Sequence, residues 1–93
     1  MTPEGRAEGL RDLLGERLFL AVAGNDALIS IGLRIAVSMT NARDREFTRL
    51  WFAAPCDALD GNAPIEVLAT AESVDLERVT AVLLAAANET LQK

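Results

Sequence analysis

The most reactive side chains of this chain lie together in the stretch LWFAAPCDALDGNAPIEVL, between Leu50 and Leu68. Cys56 is the only cysteine, and a thiolate at this position could act as a nucleophile or a redox group. Such a thiolate needs a basic or electropositive neighbour, but the chain has no histidine and Cys56 lies between Pro55 and Asp57. We therefore expect Cys56 to be a small, partly buried residue rather than a catalytic one.

Cation binding is the second chemistry that this stretch suggests. Asp57, Asp60 and Asn62 could offer oxygen ligands. Their spacing does not follow the alternating ligands of an EF-hand, and no glutamate stands at the twelfth position of such a loop. Turn formation and helix capping explain these side chains better.

The rest of the chain offers no alternative catalytic set. It has no histidine and no tyrosine, and its single lysine is the final residue, Lys93. This composition removes the commonest general base and the commonest transition-metal ligand. The glycines form no phosphate-binding motif. We expect no catalytic residue, no metal, no cofactor, and hence no enzyme.

Length and composition favour one small helical domain spanning residues 1–93. Of the 93 residues, 51% are hydrophobic but only 4% are aromatic, so aliphatic side chains must fill most of the core. A core rich in alanine and leucine favours helices. We predict an all-α fold, a small compact bundle of about five helices.

The net charge of −5 is concentrated in the second half of the chain. Residues 1–50 carry seven basic and seven acidic side chains, whereas residues 51–93 carry two basic and seven acidic ones. Nucleic-acid binders need basic groups that displace counterions from phosphates, so we expect no nucleic-acid partner. The lone cysteine, the polar N-terminus and the interrupted apolar run at residues 18–37 predict a cytoplasmic protein without a membrane segment.

The first helix is predicted to begin at Thr2-Pro3-Glu4, which offers a capping hydroxyl, a proline at the first helical position and an acid in the first turn. Apolar residues then recur at helical spacing, at Leu10, Leu13, Leu14, Leu18 and Val22. Gly24 can end this segment in the left-handed conformation, and Asp26 can cap the next helix.

Residues 27–41 fit both a strand and a helix. Branched apolar residues alternate with smaller or polar ones, and LFLAVA precedes a turn, so a β-hairpin over residues 17–37 is the alternative fold, of class α+β. On a helix, however, Ser30, Arg34, Ser38 and Asn41 form one narrow polar stripe. The segment also exceeds the usual strand length. We predict a helix that is nearly surrounded by protein or by a partner chain.

Three further helices complete the predicted bundle. Asn41 can cap a helix over residues 42–53, which Pro55 ends because the residue before a proline avoids helical geometry. Pro64 begins a short helix over residues 64–71, capped by Asn62. Ser73 or Asp75 then caps the last helix, whose inward positions are Leu76, Val79, Val82 or Leu83, and Ala86.

Six residues of the central stretch follow the pattern W-x3-P-x3-L-x-G-x2-P-x3-L, and we call them the signature: Trp51, Pro55, Leu59, Gly61, Pro64 and Leu68. Each has a structural role, because the tryptophan and leucines can pack inward, the prolines delimit helices and the glycine permits a turn. The signature resembles the C-terminal toxin-binding domain of the Xre/MbcA/ParS antitoxin family. The similarity extends from Trp51 to about Glu89, with Cys56 and Ser73 where that family usually has Asn and Gly.

The resemblance implies a bacterial antitoxin that neutralises a cognate RES-domain toxin, an NAD-degrading enzyme, by blocking its active site. It also implies a homodimer. Members usually carry an N-terminal helix-turn-helix, whereas residues 1–25 here suggest a single N-terminal helix in its place, followed by a toxin-binding region over residues 26–93. From the family's habit we expect partner contacts at Glu77, Arg78, Asn88, Glu89, Leu91, Gln92 and Lys93. The alternative function is that of a homo-oligomeric structural or regulatory helical protein without a toxin partner.

Overall fold

A computed structural model describes residues 3–92, which fold into six α-helices and two short 3-10 helices. The α-helices are α1 (Pro3–Leu14), α2 (Glu16–Phe19), α3 (Asp26–Ala42), α4 (Arg45–Ala53), α5 (Pro64–Ala69) and α6 (Leu76–Leu91). The 3-10 helices span Asp57–Leu59 and Ser73–Asp75. The described residues contain no strand, so the all-α prediction is confirmed and the alternative hairpin over residues 17–37 is wrong.

Helix α3 lies at the centre of the bundle and packs against α1, α4, α5 and α6. Its side chains are buried on more than one side, including Leu28, Ile35 and Met39. This burial explains the ambiguous sequence, because a helix enclosed by several others carries apolar residues beyond a single stripe. The exposed side includes Arg34 and Ser38, which belong to the predicted polar stripe.

The start of α3 differs from the predicted one by a single residue. Gly24 has φ +86°, the left-handed conformation expected of a helix stop. The capping residue is Asn25, whose Oδ1 accepts a hydrogen bond from the amide of Leu28 at 3.2 Å. Asp26 is instead the first helical residue, where its negative charge faces the positive end of the helix dipole.

The predicted cap of α4 was also wrong. Asn41 lies inside the last turn of α3, which continues to Ala42. Helix α4 begins at Arg45, and Asp44 caps it by accepting a hydrogen bond from the amide of Phe47 at 2.7 Å. Asn41 and Asp44 are both residue types that can cap a helix. Because α3 extends to Ala42, Asn41 is inside that helix and Asp44 is the cap of α4.

The last two helices begin without the predicted side-chain caps. Helix α5 has Pro64 at its start, but Asn62 does not cap it and instead donates from Nδ2 to the carbonyl of Leu59. Asp75, one of the two predicted residues, occupies the N-cap position of α6, but its side chain makes no capping hydrogen bond; Ser73 begins the 3-10 turn that leads into the helix. The proposed cap at Thr2 lies outside the described residues.

The N-terminal segment contributes to the same core as the rest of the chain. Helix α1 packs against α3 and α4. Leu10, Leu14, Phe19 and Val22 are buried in the cluster that also holds the residues of α3. Residues 3–92 include no helix that is long and apolar enough to cross a membrane.

Candidate functional site

The signature residues shape the corner between α4, α5 and α6. Trp51 is only 8% exposed and meets Phe52 edge to face, with ring centroids 5.0 Å apart. Leu59 and Leu68 are buried below the connection, and Ala54 ends α4 in an extended conformation just before Pro55. The signature therefore fixes the course of the chain over residues 51–68.

The connection between α4 and α5 is closed by its own backbone. The amide of Cys56 donates to the carbonyl of Asn62 at 3.1 Å, and the amide of Gly61 donates to the carbonyl of Cys56 at 3.0 Å. Asp60 and Gly61 both have positive φ, 59° and 83°, which turns the chain sharply. Within the part of the chain that the structure describes, no three carboxylate or thiol groups converge to hold a metal ion.

Cys56 lies in the connection that follows α4, beside acidic side chains. It is half-buried and free, and it lines a depression beside the last turn of α6. Asp57 and Glu89 line the same depression. The geometry gives Cys56 a packing role.

The C-terminal end of α6 is held against the α3–α4 corner by two side chains. The indole nitrogen of Trp51 donates to Oγ1 of Thr90 at 3.0 Å. Arg43 donates from Nη2 to the carbonyl of Leu91 at 3.2 Å, which satisfies one of the otherwise unpaired carbonyls at the helix end. These two hydrogen bonds therefore connect the last turn of α6 to α4 and to the residue that follows α3.

The arginines just before α4 and within it make contacts within the protein. Arg45 pairs with Asp12 at 3.2 Å. Arg49 donates to the carbonyls of Asp12 and Leu13 at 2.7 and 3.0 Å, and so caps the end of α1. Arg45 and Arg49 thus lie at the C-terminal end of α1, and Arg43 lies at the C-terminal end of α6.

The residues expected to contact a partner fall on two sides of α6. Glu77 shares a depression with Arg34 on the α3 side, whereas Arg78 shares one with Val67 and Thr70 on the α5 side. Asn88, Glu89 and Gln92 are exposed, Leu91 is half-buried, and Lys93 lies outside the described residues. The structure thus brings together most of the expected set on the outer face of α6 but separates Glu77 from Arg78.

Sequence reasoning missed the centre of that face. Ala81, Val82 and Ala85 are exposed there, while Leu83 takes the buried position for which Val82 was the other candidate. The available signal was the run from Thr80 to Ala87, which spans two helical turns without a charged residue.

A comparison with known protein families identifies one family for this chain. Residues 10–88 match the model of the Antitoxin Xre/MbcA/ParS C-terminal toxin-binding domain, a range that begins within α1 and reaches the last turns of α6. No curated protein and no solved structure matches the chain. Because the match covers most of the chain, this protein belongs to the Xre/MbcA/ParS antitoxin family through its toxin-binding domain.

Proposed function

We propose that this protein neutralises a cognate RES-domain toxin, an NAD-degrading enzyme, by covering the entrance to its active site. The observation that carries the proposal is the family match over residues 10–88, which describes a toxin-binding domain. The RES class comes from the resemblance of the signature. The protein acts by binding and performs no catalysis.

The charge of the second half supports a partner of this kind. Residues 51–93 carry seven acidic and two basic side chains. A cleft that binds the negatively charged diphosphate of NAD is expected to have a positive electrostatic potential. An acidic antitoxin surface would be attracted to such a cleft, and an anionic protein or nucleic acid would be repelled by the antitoxin.

The outer face of α6 is the surface that we propose for the contact, with Arg78, Asn88, Glu89 and Gln92 as its polar part. These residues are exposed, and the hydrogen bonds from Trp51 and Arg43 hold the end of the helix. Ordering before association lowers the entropic cost of binding.

Co-expression with the RES-domain protein of a neighbouring reading frame tests the function. We expect the two proteins to co-purify and the toxin's NAD consumption to stop at stoichiometric antitoxin. The variant Trp51→Ala should no longer stop the toxin's NAD consumption, because the substitution destabilises the antitoxin domain. If no complex forms at micromolar concentration and NAD consumption continues, the proposal is wrong.

We further propose a cytoplasmic homodimer formed through the α3 side of α6. Arg34 and Glu77 line one depression there together with the half-buried Leu84, and Val37 of α3 is 41% exposed. A patch that holds both charge signs can pair with its own copy across a two-fold axis. Sedimentation should give a dimer for the wild type and a monomer for Arg34→Glu; a wild-type monomer at high concentration would reject the dimer.

The same exposed patch supports the alternative function, a homo-oligomeric structural or regulatory protein without a toxin partner. A dimer that leaves RES-domain NAD consumption unaffected would favour that alternative.

A further inference from the structure

A continuous groove runs along α6 on the side that faces α5. Its lining combines apolar and polar side chains: Val67 of α5, Val82 of α6 and Ala58 of the connecting 3-10 helix are the apolar contributors to the adjoining depressions, and Thr70 and Asn62 are among the polar ones. Val82 lines two of these depressions, and Ala58 continues into the third. We call this surface the α6 groove.

The wall formed by α6 has no charge over its two central turns. Val82 is 37% exposed at the groove and Ala85 is exposed on the outer face next to it, whereas Ala81 lines the depression on the α3 side. A solvated helix normally carries polar or charged side chains on its outer face, so this uncharged strip is unusual for a surface that faces only water. The small side chain of Ala85 leaves room for another element to approach the helix closely at this point.

The rim of the α6 groove is acidic. Asp75 and Asp60 line its first two depressions, and Asp57 and Glu89 line the last. The one basic side chain along it is Arg78, whose Nε is 3.7 Å from Oδ1 of Asp75. The charge excess of the rim therefore remains negative.

We propose that the α6 groove receives an apolar side chain of the toxin that is flanked by arginine or lysine residues. The apolar side chain would cover Val82, and the basic groups would lie towards Asp57 and Glu89. The negative charge of the rim favours a basic partner. A second copy of this chain would bring the same acidic side chains to the groove, and nucleic acids or anionic lipids would be repelled by them. This inference rests on the proposed function and adds to it the chemistry of the partner and the side of α6 that it covers.

The apolar part of the proposal is tested with the full-length chain and the purified RES-domain toxin, by isothermal titration calorimetry. Val82→Arg places a positive charge in the lining of the groove, and Ala85→Arg places one on the exposed outer face of α6 next to it. The control Leu20→Arg makes a similar change at a side chain that is 65% exposed in the segment between α2 and α3. We expect both groove variants to raise the Kd at least about tenfold and the control to leave it unchanged, with thermal melting showing that all three fold.

The charged part is tested by the salt dependence of the same binding. The double variant Asp57→Asn/Glu89→Gln removes two rim charges, and Glu8→Gln/Glu46→Gln removes two exposed acids from α1 and α4. Neutralising the rim should weaken binding at low salt and flatten the dependence on salt, whereas the control pair should change both less.

The outcomes separate the two proposals. If the wild type binds the toxin but both arginine variants bind equally well, the α6 groove is not the contact surface and the proposed function stands. If the two acidic pairs have equal effects, the assignment of basic partner groups to the rim is wrong. If the wild type does not bind the toxin at all, both the function and the groove assignment are overturned.

Discussion

The indole nitrogen of Trp51 donates a hydrogen bond to Oγ1 of Thr90 at 3.0 Å, joining α4 to the last turn of α6 across 39 positions of sequence. The hydroxyl of Thr90 in turn donates to the carbonyl of Ala86 at 2.9 Å. Its single proton is therefore used within α6, and its oxygen is free to accept from Trp51. The signature thus reaches the proposed contact helix directly.

Trp51→Ala should destabilise the protein by roughly 3–5 kcal/mol, because it leaves a large cavity and removes the partner of Thr90. Trp51→Phe keeps part of the volume and should cost less. The neighbouring Leu50 is 63% exposed, so Leu50→Ala should change the free energy of unfolding by no more than about 0.5 kcal/mol. Urea unfolding measures all three, and equal stability of Trp51→Ala and wild type would show that the ring is not part of the core.

The second prediction concerns the residue that caps α4, which is Asp44 in the structure and was expected to be Asn41 from the sequence. Asp44→Ala removes the acceptor of the Phe47 amide and should cost about 0.5–2 kcal/mol. Asn41→Ala changes an exposed residue inside α3 and should stay within about 0.5 kcal/mol of wild type. Thermal unfolding of the two variants is the measurement; a larger loss for Asn41→Ala would place the helix start at the expected residue instead.

The sequence was sufficient for the features that depend on local chemistry. Helical periodicity, the glycine stop at Gly24 and the proline start at Pro64 all act within a few residues, and α3 and α5 begin within one residue of their predicted starts. The signature spacing also indicated the family that the comparison shows.

The remaining features depend on tertiary packing and could not be read from local patterns. Asn41 and Asp44 are both good caps, but α3 continues through Asn41 to Ala42, so that Asp44 is the residue that caps α4. The assignment of Leu83 to the core and Val82 to the surface depends on how α6 rotates against α3 and α5. The contact of Arg43 with Leu91 joins residues 48 positions apart. The pattern of charges along the sequence does not show which distant residues will meet.

A third prediction concerns two helical glycines with different surroundings. A Cβ at Gly9 would lie 3.5 Å from Cδ1 of Leu33, an ordinary contact, so Gly9→Ala should stabilise the protein by up to about 1 kcal/mol through helix propensity. A Cβ at Gly32 would lie 3.0 Å from Cδ2 of Leu68 and 3.3 Å from Cδ2 of Leu10, and both leucines are fully buried.

Because those leucines have little room to move, Gly32→Ala should destabilise the protein by roughly 1–2 kcal/mol despite its better helix propensity. Chemical denaturation of the two variants in parallel gives the comparison. Stabilisation by both substitutions would mean that the packing of α3 against α1 and α5 is looser than the structure shows.

The last prediction concerns the end of α6, where Arg43 donates to the carbonyl of Leu91 and its guanidinium lies 5.7 Å from the ring centre of Phe47. Both contacts are at the surface, so Arg43→Ala should reduce global stability by less than about 1 kcal/mol.

The main effect of Arg43→Ala should be local, since the last carbonyls of α6 lose a partner. Amide hydrogen exchange should therefore become about two- to fivefold faster over residues 89–92 and remain unchanged in the centre of α3. Arg17→Ala is the matched control, because it removes an exposed arginine from α2, outside the proposed interfaces, and should leave exchange over residues 89–92 unaltered. Exchange that accelerates equally in α3 and α6 would show that Arg43 supports the whole bundle, and exchange that accelerates in neither would show that Trp51 alone holds the helix end.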